Sequence, residues 1–243
     1  MLSWRALAGS LMRLGWLSFR IAFHRKLLLL GLGVTLYYGA LYLLAIIKPD
    51  EGFDVQRALY VLVEIPGAVL AVYLAMDLVA GERERDTLEM LFSTSMSQLG
   101  IWGVRLAVLY GLLGAVLLAM SAAAYLLFAE FPFLGGGLNA LVPAFFMVNL
   151  TFCAAVLWRS GHTAGMIALA VLVGVLLTAE QLRPTPYFLF LPVYNLPGGV
   201  DAATWSQTMV INRLGVVGLG VVLLWVGFKR MANREGLLAQ GKT

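Results

Sequence analysis

Long apolar runs, interrupted at short intervals by small clusters of polar and basic residues, set the pattern of this 243-residue chain. A helix crossing a hydrocarbon core about 30 Å thick needs roughly 20 apolar residues. Six stretches reach or approach that length: 27–47, 58–80, 106–129, 134–158, 161–179 and 209–228. The pattern predicts an all-α membrane protein with six transmembrane helices. Together they use most of residues 1–243, so any chemistry should sit in the bundle, on its loops or on another polypeptide. The first run is longer than the roughly 7–15 apolar residues of a cleaved leader and leads into Lys48-Pro49-Asp50, so it is expected to remain as a span.

Two further elements follow from the polar positions. Wound at about 100° per residue, the segment from Ser3 to His24 places Trp4, Leu7, Leu11, Leu14, Leu17 and Ile21 on one face. Arg5, Arg13, Arg20 and His24 fall on the other, the signature of an interfacial amphipathic helix over 3–26, ended by Arg25-Lys26. Between the fifth and sixth runs, Pro184, Pro186, Pro192 and Pro197 prevent any long helix, yet Tyr187 to Leu191 is apolar. Such a run is too short to span and suits a re-entrant or interfacial external segment within 180–208. Asn195, Gly198, Gly199 and Asp201 supply turn chemistry before the last span.

Composition agrees with the pattern. The chain is 61% hydrophobic and 12% charged, where soluble domains carry about 25% charged residues. Its basic residues are distributed unevenly: with the N-terminus in the cytoplasm, thirteen Lys and Arg fall on that side and only Lys48, Arg57, Arg183 and Arg213 on the other. Cytoplasmic loops hold the excess of Lys and Arg, so both termini and the 81–105 loop are expected inside. The net charge of +4 then reflects topology. Basic residues spread singly over helix ends make no continuous stripe, so nucleic acid is not an expected partner.

Candidate chemistry inside the membrane is sparse. Glu64, Pro66 and Asp77 make the second span the most polar. Ionisable groups there usually face a bundle interior or a wet cavity, so Glu64 and Asp77 could contact a substrate or ion, pair with another helix, or reach water near the helix ends. Arg213, early in the last span, either snorkels outward, the reading its position favours, or pairs with Glu180 or Glu64. Gly111, Ala115, Ala119 and Ala123, and Gly161 with Gly165, recur at four-residue spacing, which lets helices approach closely. Gly135-Gly136-Gly137 is expected in the external turn before the fourth span. Cys153 is single, which excludes an intrachain disulfide, and His24 and His162 are too far apart in sequence to suggest a metal site. The tail Gly236 to Thr243 matches the phosphate-loop pattern by letter, but no strand precedes it and no helix follows, so the match is rejected. No catalytic or metal-binding residues are expected on this chain.

The densest polar feature is an island between the second and third runs, where Glu82, Arg83, Glu84, Arg85, Asp86 and Glu89 place six charges in eight positions. Taken physically, Glu82 to Phe92 forms either a short amphipathic helix offered to a partner or a solvated loop with local charge pairs. The run Gly81-Glu-Arg-Glu-Arg-Asp-Thr87-Leu-Glu89-Met-Leu-Phe-Ser-Thr-Ser95 resembles the Glu-Arg-x-x-Gly-Thr-Leu-Glu-x-Leu-Leu-x-Thr-Pro segment of ABC-2 type ABC transporter permeases. Asp86 stands where the family has Gly, and Ser95 where it has Pro. The amphipathic start, six spans, cytoplasmic termini and broken external segment also resemble that family.

The resemblance implies that residues 1–243 form a single ABC-2 type transmembrane domain, the permease subunit of an exporter in a bacterial cytoplasmic membrane. The 81–100 loop would be its coupling helix, with Glu82, Arg83, Glu84, Arg85, Thr87 and Glu89 meeting the ATPase. ATP and magnesium would bind two separate ABC ATPase subunits, and a second permease chain, identical or homologous, would complete the unit. Two alternatives stay open: a membrane subunit that passes conformational force to an extracytoplasmic partner, and a structural or assembly subunit of a membrane complex.

Overall fold

The computed structural model of the chain describes residues 29, 31–47, 54–83, 98–158, 160–183, 185–194 and 201–232. Of these, 88% are helical and none lies in a strand. Continuous apolar runs favour this outcome, because a helix pairs its backbone polar groups within one segment. Helix α1 is Gly31–Ile47. Helix α2 starts at Val55–Ala58, passes without a break through a π-helical turn, Leu59–Glu64, and continues as Ile65–Arg83. Then come α3 (Gln98–Leu127), α4 (Phe133–Trp158), α5 (Gly161–Leu177), the single turn α6 (Ala179–Leu182) and α7 (Ala202–Ala232).

Four of these contain windows long and apolar enough to cross a membrane: Val55–Met76, Trp102–Leu127, Phe133–Trp158 and Ala202–Met231. Helices α1 and α5 are apolar but shorter, Gly31–Ile47 and Gly161–Leu177, at the lower end of the roughly 17–25 residues a span uses. Helices α3 and α7 begin at Gln98 and Ala202, well before the apolar runs expected from residues 106 and 209. Once a helix is nucleated, propagation through residues of ordinary propensity is favourable, and the Trp205 amide already bonds the Asp201 carbonyl at 2.9 Å. The expected external segment, 180–208, is shortened accordingly. The expected interfacial helix over 3–26 lies outside the described residues, as does the tail 236–243.

Helix α4 is the hub, touching α2, α3, α5 and α7; 67% of its apolar window is buried, against 11% for α7. Contacts fix the directions of its neighbours. Phe145 and Phe152 of α4 lie against Gly220 and Gly227 of α7, where an added Cβ would sit 2.7 Å from each ring. Both pairs are seven residues apart and ascend together, so α4 and α7 run parallel. Leu59 beside Gly136 and Glu64 beside Asn139 make α2 parallel to α4 as well. Helix α3 is antiparallel, with Leu118 against Gly137 at one end and Trp102 against Phe152 at the other, ring centroids 6.4 Å apart.

Small residues serve this packing in places the sequence pattern does not mark. Gly135-Gly136-Gly137 is not in a turn: all three lie within α4. A Cβ on Gly137 would stand 3.1 Å from the Leu118 Cα, and one on Gly136 would stand 2.7 Å from both Leu59 and Ser121. Close approach to α2 and α3, rather than a turn, explains the run. Conversely, Gly111, Ala115 and Ala119 face outward on α3, and a Cβ on Gly111 would meet nothing within 4 Å. Gly161 and Gly165 are buried, Gly165 against Met76 of α2.

The π-helical turn of α2 has a specific cause and a specific repair. Pro66 has no N–H, so a carbonyl one turn earlier loses its helical donor. In α register that carbonyl belongs to Leu62, in π register to Val61. Tyr38 of α1 shares its hydroxyl proton between the Leu62 carbonyl at 2.8 Å and the Met120 carbonyl of α3 at 2.9 Å, and Tyr37 donates to the Val61 carbonyl at 2.7 Å. Neighbouring side chains thus satisfy the freed backbone groups of a proline-broken apolar helix, and α1 is docked where α2 is irregular.

Candidate functional site

Three parallel helices bring one polar residue each to the same level. Glu64 ends the π-helical turn of α2, Asn139 lies in the second turn of α4, and Arg213 lies in the fourth turn of α7. Glu64 is 1% exposed. Asn139 donates from Nδ2 to Glu64 Oε1 at 2.6 Å and accepts at Oδ1 a short hydrogen bond from Arg213 Nη2. One amide thereby links a carboxylate to a guanidinium that it keeps apart. The amide's polarity suits this: its donor end faces the acceptor-only carboxylate and its acceptor end faces the donor-only guanidinium. Glu64 Oε2 and Arg213 Nη1 are buried without hydrogen-bond partners among the described residues. The irregular backbone of α2 carries Glu64, and Pro143 in α4 removes the N–H that would bond the Asn139 carbonyl.

Residues 185–194 cover this cluster. Phe188, Leu189, Phe190 and Leu191 are buried, whereas Tyr187 is 81% exposed. The segment lacks regular structure, so its backbone groups need side-chain partners, and residues of α2 and α7 provide them. Asn212 Nδ2 donates to the carbonyls of Pro186 and Phe188 at 2.7 and 2.8 Å. Arg213 Nη2 donates to the Leu191 carbonyl at 3.2 Å. Gln56 Oε1 accepts from the amides of Val193 and Tyr194 at 3.1 and 3.2 Å. Tyr60 of α2 packs on Phe188 and Phe190, with Arg183 over its ring at 5.3 Å. Gly135 leaves room for the Tyr194 hydroxyl, which would lie 2.9 Å from a Cβ there, and burial raises the Tyr194 pKa above its ordinary value.

The charged residues singled out by sequence are therefore not equivalent. Glu64 and Arg213 meet through Asn139, and the guanidinium turns into the bundle instead of snorkelling outward. Burial of Glu64 removes the alternative in which it simply reaches water. Glu180 is exposed on α6, and no hydrogen bond joins it to Arg213 among the described residues. Asp77 lies in α2 near Met76, and Glu82 and Arg83 are the last residues of that helix, with side chains outside the described set. Glu84, Arg85, Thr87 and Glu89 lie outside the described residues. Sequence reasoning missed Asn139, Gln56 and Asn212, and also Tyr110 with Asn149, whose 2.6 Å hydrogen bond ties α3 to α4 farther along the bundle. Their one signal was polarity within or beside an apolar run.

Comparison of the chain with family models, with curated proteins and with solved structures finds no match.

Proposed function

We propose that this chain is the transmembrane permease subunit of an ABC transporter, an exporter in which a separate ATPase drives substrate across the bilayer. The observation that carries the reading is the charged run 81–95, similar to the ABC-2 hallmark, in the connection between two helices long and apolar enough to span. That connection leaves α2 at Arg83 and enters α3 at Gln98, at the end of the bundle opposite Glu64. Helices α1 and α5 complete six spans, the 185–194 segment is the re-entrant external element, and both termini lie in the cytoplasm. Residues 81–100 act as the coupling helix, with Glu82, Arg83, Glu84, Arg85, Thr87 and Glu89 seated against the ATPase. Two ATPases, which bind ATP and magnesium, work with this chain and a second permease chain.

Co-purification from native membranes tests the proposal. A roughly 25–35 kDa polypeptide that binds ATP, the size of one such domain, is expected to come down with this chain. Glu82→Lys or Glu89→Lys should weaken that association or uncouple hydrolysis from export. Normal assembly and normal export in both charge reversals would defeat the assignment.

A further inference from the structure

We propose that Glu64, Asn139 and Arg213 form a charge-bridged latch that holds residues 186–191 down over the ends of α2, α4 and α7, and that the segment lifts when the bridge is broken. The inference concerns contacts within this chain and stands independently of any ATPase.

Arg213 Nη2 is the shared point: one nitrogen bonds both Asn139 Oδ1 and the Leu191 carbonyl. The position of the guanidinium, and so the seat of Leu191, depends on which end of the Asn139 amide faces it. Glu64 sets that end, because its carboxylate can accept only from Nδ2. Glu64 thus acts on the segment through Asn139 as a positioning residue, and it makes no hydrogen bond to residues 185–194 among those described. The adjacent Asn212 holds the other side of the segment through the Pro186 and Phe188 carbonyls, so consecutive residues of α7 grip both ends of the apolar stretch.

Glu64 Oε2, Arg213 Nη1 and Asn212 Oδ1 are buried without partners among the described residues. Removing one member of a buried charge pair leaves the other uncompensated. What closes is substantial: four consecutive buried apolar residues, Phe188 to Leu191, of which Phe188 and Phe190 pack on Tyr60.

Thiol labelling of the full chain in membrane vesicles tests the latch. Cys153 is replaced by Ser, and a single cysteine is introduced as Leu189→Cys or Tyr187→Cys. With the three latch residues unchanged, a membrane-impermeant maleimide should label the Leu189→Cys chain at least ten-fold more slowly than the Tyr187→Cys chain. Arg213→Gln should accelerate labelling at 189 ten-fold or more and leave 187 unchanged. Asn139→Ala should do the same with both charges in place, and it carries the test if Arg213→Gln fails to accumulate. Glu64→Gln should accelerate labelling at 189, and Glu64→Gln with Arg213→Gln should label no faster than Arg213→Gln alone. Asn149→Ala, which cuts a polar tie elsewhere in the bundle, should leave 189 protected. The proposal is overturned by equal labelling at 189 and 187 in the unaltered latch, by protection that persists in both Arg213→Gln and Asn139→Ala, by multiplicative effects of the two charge neutralisations, or by equal exposure in Asn149→Ala.

Discussion

Single residues carry most of the polar organisation, and their legibility in the sequence differs for physical reasons. Glu64 and Arg213 stand out because ionisable groups inside apolar runs are costly and so need an explanation. Asn139 does not, since one neutral amide barely changes the hydropathy of its run, although it is the atom-level link between the two charges. Tyr37 and Tyr38 read as apolar bulk, whereas their hydroxyls repair the backbone broken by Pro66. That repair predicts a specific coupling. Tyr38→Phe should cost about 1–3 kcal/mol, because it takes the hydroxyl away from the buried Leu62 and Met120 carbonyls. In a Pro66→Ala background the restored N–H can bond the Leu62 carbonyl, and the same change should cost less. Unfolding measurements on the four variants of this cycle check it; equal costs in both backgrounds would show that Tyr38 does not serve the proline site.

At the scale of elements, apolar run length was a good guide to where helices occur and a poor guide to where they end. Helices α1 to α5 and α7 each fall on one of the six runs, yet α3 and α7 begin well before theirs, because helix propagation does not stop where hydrophobicity does. Four-residue spacing of small residues was also an incomplete guide: it marked Gly111 and Ala115, which face outward, and passed over Gly220 and Gly227, seven apart, which receive Phe145 and Phe152. Spacing alone does not say which face of a helix meets a neighbour. Gly220→Ala forces its Cβ against the Phe145 ring and should destabilise the chain by about 1–3 kcal/mol, as overpacking does. Gly218→Ala, with nothing within 4 Å of its Cβ, should be neutral or stabilising by up to about 1 kcal/mol, as Gly→Ala is in a helix interior. Thermal unfolding in detergent distinguishes the two. Gly137→Ala should resemble Gly220→Ala, since it meets the Leu118 backbone at 3.1 Å.

For the whole molecule, the helix directions place two polar features at opposite ends of one bundle. At one end the Glu64–Asn139–Arg213 bridge lies beneath residues 185–194; at the other, α2 ends at Arg83 and α3 begins at Gln98, the two helices between which the charged run falls in sequence. Composition and run length made the helical, membrane-like character legible, and pairing of Arg213 with Glu64 was one of the expected alternatives; the Asn139 that joins them was not legible, because it lies 75 and 74 positions from them in sequence. The functional reading depends on the far end, where the island is expected to dock on an ATPase. Photo-crosslinking from that island in native membranes tests this most directly, with a crosslinking amino acid placed in turn at Arg85, Thr87 and Glu89. The account predicts adducts with an ATP-binding polypeptide at one or more of these positions and none from Leu126, which is exposed near the opposite end of α3. Absence of such an adduct at all three positions, in a chain that still reaches the membrane, would contradict it.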